Sequence, residues 1–148
     1  MTQPLQAELD SALRTVVDEM SAAATQLISV LDEEREALNS ADASALNRAG
    51  EAKQLLMRQL EQLDAERLHM RTASLPASQE TQPAWGNVLN SLLACRDKNL
   101  RNGALVSQRL TQVRRALSVL TGNPDANSTY SHSGELKTGY RSVPLAEV

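Results

Sequence analysis

Residues 27–67 read LISVLDEEREALNSADASALNRAGEAKQLLMRQLEQLDAER, and this stretch decides the fold. On either side of NSADAS, residues 39–44, apolar residues recur in alternating steps of three and four. Only an α-helix places residues at that spacing on one side. Ser40 and Asp42 are suitable N-cap residues for a new helix. Two long helices joined by so short a connection are predicted to pack antiparallel, as a helical hairpin.

The same spacing continues toward both ends of this stretch. Pro4 is tolerated only in the first turn of a helix, so the first helix is predicted over about residues 5–39 and the second over about 42–72. The first heptad seam is formed by Leu13, Val17, Met20, Ala24, Leu27, Leu31, Glu34 and Leu38. The second is formed by Leu46, Ala49, Lys53, Leu56, Leu60, Leu63, Arg67 and Met70.

A third helix is predicted after residues 72–83, TASLPASQETQP, which break the pattern. Gly122 suits a left-handed C-cap and Pro124 cannot continue the helix, so it is predicted over about 84–121. Its seam is formed by Leu89, Leu92, Arg96, Asn99, Gly103, Val106, Leu110, Val113, Leu117 and Leu120. The predicted fold of residues 1–121 is all-α: an extended antiparallel three-helix bundle or coiled coil, made of a long hairpin and a long third helix.

Residues 122–148 have no apolar period and are rich in Ser, Asn, Gly and Pro. Such a composition buries too little surface to offset the entropy of ordering, so a flexible C-terminal tail is predicted. Tyr130 and Tyr140 are the aromatic residues of this segment. Each is either an interface anchor or a solvated side chain.

The composition argues against several classes of function. Residues 1–75 carry a net charge of −6, and residues 76–148 carry a net charge of +3. The sequence has neither the basic face nor the aromatic residues that a nucleic-acid-binding surface needs. Cys95 is the single cysteine, and His69 and His132 lack partners at metal-ligand spacing, so neither metal nor cofactor is expected. Catalytic motifs are absent, and neither a membrane span nor a signal peptide is evident. We expect a cytoplasmic protein that is not an enzyme.

The third seam changes character in the run CRDKNLRNGALV, where Arg96, Asn99 and Gly103 replace apolar residues. One interpretation is a close approach of two helices, or a polar layer that sets their register. The other is a junction between a packed first half and a second half free to bind a partner. Cys95 is expected to be a small buried residue, and Trp85 to pack at the end of the bundle.

The second half of the third seam is a candidate binding surface. Its apolar residues are Val106, Leu110, Val113, Leu117 and Leu120. If they lie exposed, they form a surface suited to a partner helix. If they are covered within the chain, Leu5, Leu9 and Leu13 are the expected contacts.

Three segments together resemble the FlgN-type flagellar export chaperones. Residues 27–67 are similar to that family's N-terminal helical hairpin, with the Glu34-Arg35 pair and Lys53. Asn99, Asn102 and Gly103 match an Asn-x-x-Asn-Gly motif in the third helix. Tyr130 and Gly134 match a Tyr-x-x-x-Gly ending, after which the chain departs from the family pattern, so that Tyr140 and Arg141 inherit no role.

The resemblance implies a chaperone that binds the C-terminal helices of hook-associated proteins, keeps them from assembling prematurely and delivers them to the export apparatus. It implies that residues 106–120 bind the substrate and that Tyr130 contributes to docking at the export gate. The partners would then be hook-associated proteins, the export gate and the export ATPase complex, with a homodimer possible. The alternative is a coiled-coil scaffold or adaptor that self-associates through the same seams; neither alternative involves nucleic acid or membrane insertion.

Overall fold

The computed structural model describes residues 3–73 and 79–122, and three long helices account for most of them. Helix α1 covers Gln3–Ser40, α2 covers Ala43–Ala73 and α3 covers Gln82–Thr121. Each boundary lies within two residues of the predicted one. The predicted all-α helical bundle is therefore confirmed.

Helices α1 and α2 are joined by two residues that cap both of them. Ala41 adopts a left-handed φ of 55°, and the amide of Asp42 donates to the carbonyl of Ala37 at 3.0 Å, which is the Schellman ending of a helix. The Asp42 carboxylate then accepts the amide of Ala45 at 2.9 Å and acts as the N-cap of α2. Ser40, the other predicted cap, instead donates to the carbonyl of Glu36 at 2.8 Å.

Side-chain contacts within residues 1–106 fix the helix directions. Lys53 of α2 meets Glu34 near the end of α1, whereas Arg67 shares a small cavity with Leu13 near its start, so α1 and α2 are antiparallel. Asn102 of α3 donates to the carbonyl of Leu31 at 2.9 Å, and Trp85 lines the cavity beside Leu13. Helix α3 therefore runs parallel to α1 and antiparallel to α2.

The sequence has one Trp, two Tyr and no Phe, and leucine, valine and alanine supply most of the core. Helix α1 is buried on a broad face because it packs against two neighbours, whereas α2 and α3 each bury a narrower one. The first two seams are confirmed. The core cluster comprises Leu13, Val16, Val17, Met20, Ala23, Leu27, Leu31, Leu56, Leu60, Leu63, Val88 and Cys95.

The predicted seam of α3 is wrong in its first half by one residue. Leu89, Arg96 and Gly103 are exposed, while the residues immediately before them, Val88, Cys95 and Asn102, are buried. Apolar residues occur at both sets of positions, so periodicity alone does not choose between them. The contacts with α1 identify the buried set. Cys95 donates to the carbonyl of Ala24 at 3.6 Å, and the Asn102 side-chain amide donates to the carbonyl of Leu31 at 2.9 Å.

The chain divides into two compact units, Met1–Val106 and Ser107–Val148. The first contains the core described above. Of the second, the structure describes residues 107–122, which complete α3 and end at Gly122, whose φ of 65° is the predicted left-handed cap. Tyr130, Gly134 and Tyr140 lie outside the described residues, so the predicted division between a bundle over 1–121 and a tail over 122–148 stays a prediction.

Candidate protein-binding site

The second unit presents a face of α3 that we call the C-terminal stripe, formed by Leu110, Val113, Leu117 and Leu120. At 100° per residue the four side chains fall within an arc of about 80°, and along the axis they span about 15 Å. Their exposed fractions are 51%, 55%, 53% and 82%. Val106, the fifth predicted member, is the last residue of the first unit and is 39% exposed.

The exposure of the stripe residues is what the interpretation as a binding surface requires. Each of the four stripe residues keeps half or more of its surface open. Leu5, Leu9 and Leu13 belong to the first unit and the stripe to the second, so the alternative that they cover the stripe stays a prediction. Leu5 is itself 50% exposed. A linear run of apolar side chains at heptad spacing fits a second helix better than it fits a small molecule.

Arginines border the stripe on both sides. On a helical wheel Arg109 lies beside Leu120, and Arg114 lies beside Leu110 at the opposite edge. Arg115 points away from the stripe, on the far side of the helix. All three are exposed. The surface around the stripe is consequently basic, a local feature that the net charge of residues 76–148 does not reveal.

Four of the six family-motif residues form one hydrogen-bonded group, which we call the polar layer. The Glu34 carboxylate accepts the Asn102 amide at 2.8 Å and the Lys53 ammonium at 2.6 Å. Lys53 also donates to the Asn99 side-chain oxygen at 3.3 Å. One residue of α1, one of α2 and two of α3 thus meet inside the first unit.

The polar layer is well enclosed on its α1–α3 side. Asn102 is 3% exposed and Glu34 is 7% exposed, while the Lys53 side chain is 24% exposed and Asn99 is open to solvent. A carboxylate at that depth is stable only because two donors face it. These bonds connect all three helices, which is what the interpretation of a register-setting polar layer requires.

The remaining two motif residues, Arg35 and Gly103, lie outside this group. Both are exposed. A Cβ added to Gly103 would meet no atom within 4 Å, so the interpretation of a close helix approach at this glycine is wrong. The structure offers no packing reason for glycine at this position.

Two further predictions concern single residues of the first unit. Trp85 is half-buried against the core, and the Arg67 guanidinium lies 3.7 Å from the centre of its ring, which confirms the packing role at the bundle end. Cys95 is 5% exposed, as expected of a small buried residue. Burial raises the pKa of its thiol, and the nearby Lys98 charge opposes this only in part.

Within residues 3–73 and 79–122, no helix is apolar enough over a sufficient length to span a bilayer. The same residues contain no group of three or more His, Cys, Asp or Glu side chains placed to hold a metal ion.

Fold and site together define an all-α helical bundle protein with an exposed apolar face on its third long helix. The chain belongs to the FlgN family, because residues 1–138 match the family described as FlgN protein. It is 25% identical over 131 residues to the flagella synthesis protein FlgN of Salmonella typhimurium strain LT2, covering 87% of this chain and 93% of that one. Its similarity to the protein of the same description from Salmonella typhi has the same extent. No solved structure matches the chain.

Membership of this family gives the chain a role in flagellar assembly. FlgN proteins are flagellar chaperones rather than a known enzyme family.

Proposed function

We propose that this protein is a cytoplasmic flagellar export chaperone that binds the C-terminal helices of hook-associated proteins and delivers them to the export apparatus. The observation that carries the proposal is the C-terminal stripe, an uncovered apolar face at heptad spacing on α3 of a FlgN family member. An amphipathic helix from a hook-associated protein would pair with this face, and its own apolar side would then be withheld from premature assembly.

The size of the stripe suits a binding event that must be reversed. The exposed parts of its four side chains amount to about two and a half whole side chains, so covering them contributes roughly 4–7 kcal/mol. Association itself costs about 4–15 kcal/mol in lost motion, and ordering the partner adds to that cost. The partner's own apolar side must therefore supply a similar contribution, and the net affinity stays modest enough for release.

Co-purification of the full chain with the C-terminal segment of a hook-associated protein tests the proposal. We expect Leu110→Glu together with Leu117→Glu to abolish capture, because two carboxylates would be buried against the partner's apolar side. Val119→Glu is the matched control. Val119 is 81% exposed on a different face of the same helix, and its substitution should leave capture unchanged.

Capture that survives the double substitution would show that the stripe is not the binding surface. A stable oligomer of the chain alone, observed by analytical ultracentrifugation together with no capture of the segment, would instead favour the self-associating scaffold.

Docking to the export gate and the export ATPase complex forms a separate part of the proposal, with Tyr130 as the residue that contributes to it. Tyr130 lies outside the described residues, so this role rests on its match to the family's Tyr-x-x-x-Gly ending. We expect Tyr130→Ala to spare capture of the hook-associated segment and to weaken binding to the export gate. Equal loss of both activities would contradict this division of roles.

A further inference from the structure

The C-terminal stripe has the spacing of a coiled-coil seam, and this assigns heptad positions to its neighbours. Leu110 and Leu117 occupy a positions, and Val113 and Leu120 occupy d positions, because a is followed by d after three residues and d by a after four. Arg109 then falls at g and Arg114 at e. In coiled coils, charges at e and g set the choice and orientation of the partner.

The charge of this stretch has a single sign. Between residues 98 and 124 the sequence contains no Asp or Glu, and its basic residues are Lys98, Arg101, Arg109, Arg114 and Arg115. Of these, Arg109 and Arg114 alone occupy e or g positions beside the stripe. Both side chains are exposed.

Pairing with a second copy of the chain through this seam would bring like charges together. A parallel pair places g of one helix beside e of the next heptad in the other, so Arg109 of each copy would face Arg114 of its partner. An antiparallel pair places g beside g and e beside e; with the two stripes overlapping, Arg114 of each copy would lie beside Arg114 of the other, while the two Arg109 residues would be about 18 Å apart along the axis. Both arrangements are unfavourable, and the unfavourable contacts select against self-association.

From this arrangement we infer that the stripe selects an amphipathic partner helix whose apolar seam is bordered by Asp or Glu at its e and g positions. The inference rests on the proposed function, which supplies a helix as the partner, and it adds the chemistry by which that helix is recognised. Arg109 and Arg114 are specificity-determining residues, because an acidic border pairs with both while a basic border is repelled by both.

An anionic membrane is the other surface that a basic amphipathic helix can bind. The width of the stripe argues against it. Four aliphatic side chains in an arc of about 80° form the narrow seam of a helix pair, whereas a core-facing amphipathic helix has a stripe of about 100° or more. The stripe also contains no Trp or Phe.

The test uses the full chain and two labelled synthetic peptides of about three heptads, identical except at e and g. Both have Leu at a and d; the acidic probe has Glu at every e and g, and the basic probe has Lys. Fluorescence anisotropy at low ionic strength should show the acidic probe bound at least about ten-fold more tightly, with the preference shrinking as salt is added. Vesicles of phosphatidylserine and phosphatidylcholine form the membrane arm, and sedimentation should leave the protein unbound.

Exchange of the charges provides the sharper comparison. Arg109→Glu together with Arg114→Glu should reverse the preference toward the basic probe. Arg115→Glu makes a single Arg-to-Glu exchange at an f position of the same helix and should leave the preference for the acidic probe intact. Circular dichroism of each variant confirms that the helices are retained.

Each failure has a distinct meaning. Equal affinity for the two probes, no affinity for either, or a preference that the double exchange leaves unchanged would overturn the inference, as would binding to the vesicles in place of the probes. If the hook-associated segment still binds in those cases, the proposed function stands without the charge rule. If the acidic probe is preferred but the hook-associated segment is not captured, the charge rule stands and the proposed function fails.

Discussion

Replacing Asn102 with alanine tests whether the polar layer stabilises the bundle. The substitution removes a 2.8 Å hydrogen bond to the buried Glu34 carboxylate and a 2.9 Å bond to the Leu31 carbonyl. A hydrogen bond to a charged group contributes roughly 1.5–3 kcal/mol and a neutral one about 1 kcal/mol. Glu34 keeps Lys53 as a partner, so the full cost of an unpaired buried charge is not incurred.

Alanine has a higher helix propensity than asparagine, and this offsets the loss in the free energy of unfolding by up to about 0.7 kcal/mol. The expected net loss in the free energy of unfolding is therefore about 2–3 kcal/mol. Urea denaturation followed by circular dichroism measures this loss as a midpoint lowered by roughly 1–2 M at an unchanged slope.

Asn99→Ala is the matched control for this prediction. It is the same chemical change on the same helix, but Asn99 is exposed and makes one bond of 3.3 Å to Lys53. Its loss should be offset by helix propensity, leaving the free energy of unfolding within about 0.5 kcal/mol of the wild type. If the two substitutions have equal effects, or if Asn102→Ala has none, the polar layer does not contribute as its geometry indicates.

Three further predictions follow from individual contacts. Ala41→Gly should raise the free energy of unfolding by about 0.5 kcal/mol in the same assay, because glycine adopts the left-handed φ of 55° without strain; a decrease would contradict the turn geometry. Cys95 should react with Ellman's reagent at about pH 8 at least ~ten-fold more slowly in the folded protein than in urea, since burial both raises the thiol pKa and blocks access; equal rates would show an open site. Arg109→Glu alone should promote dimers in analytical ultracentrifugation, because the introduced carboxylate of one copy would face Arg114 of the other in a parallel pair; a strictly monomeric variant would contradict the heptad assignment.

Most of the helical architecture was predictable from local sequence signals. The seams of α1 and α2, the Asp42 cap and the Gly122 ending each depend on residues a few positions apart, which the sequence displays directly. The C-terminal stripe was predictable as a set of residues for the same reason. Its exposure was not, because exposure depends on which other segments of the chain reach that face.

The first half of α3 shows where local signals fail. Leu89, Leu93 and Leu100 lie on one face of the helix, and these side chains are 44%, 49% and 64% exposed. The buried face instead contains Val88, Cys95 and Asn102. Apolar residues lie on both faces, so hydrophobicity alone does not decide which face is buried. The second face is buried, and its polar groups are satisfied there: Asn102 donates to the Leu31 carbonyl and Cys95 to the Ala24 carbonyl. Without such an acceptor, burying the amide would cost about 1–3 kcal/mol.

The sequence by itself determined that the chain forms three long helices, where they end and which residues form the stripe, because helix periodicity and capping act over one or two turns. Only the tertiary structure decided that Glu34, Lys53, Asn99 and Asn102 meet, and that α3 turns the side with Val88, Cys95 and Asn102 inward. It also decided how far the four stripe residues are exposed. Those outcomes depend on pairings between residues separated by up to 71 positions, as between Leu31 and Asn102. Such pairings become apparent only when packing fixes the rotation and register of each helix against its neighbours.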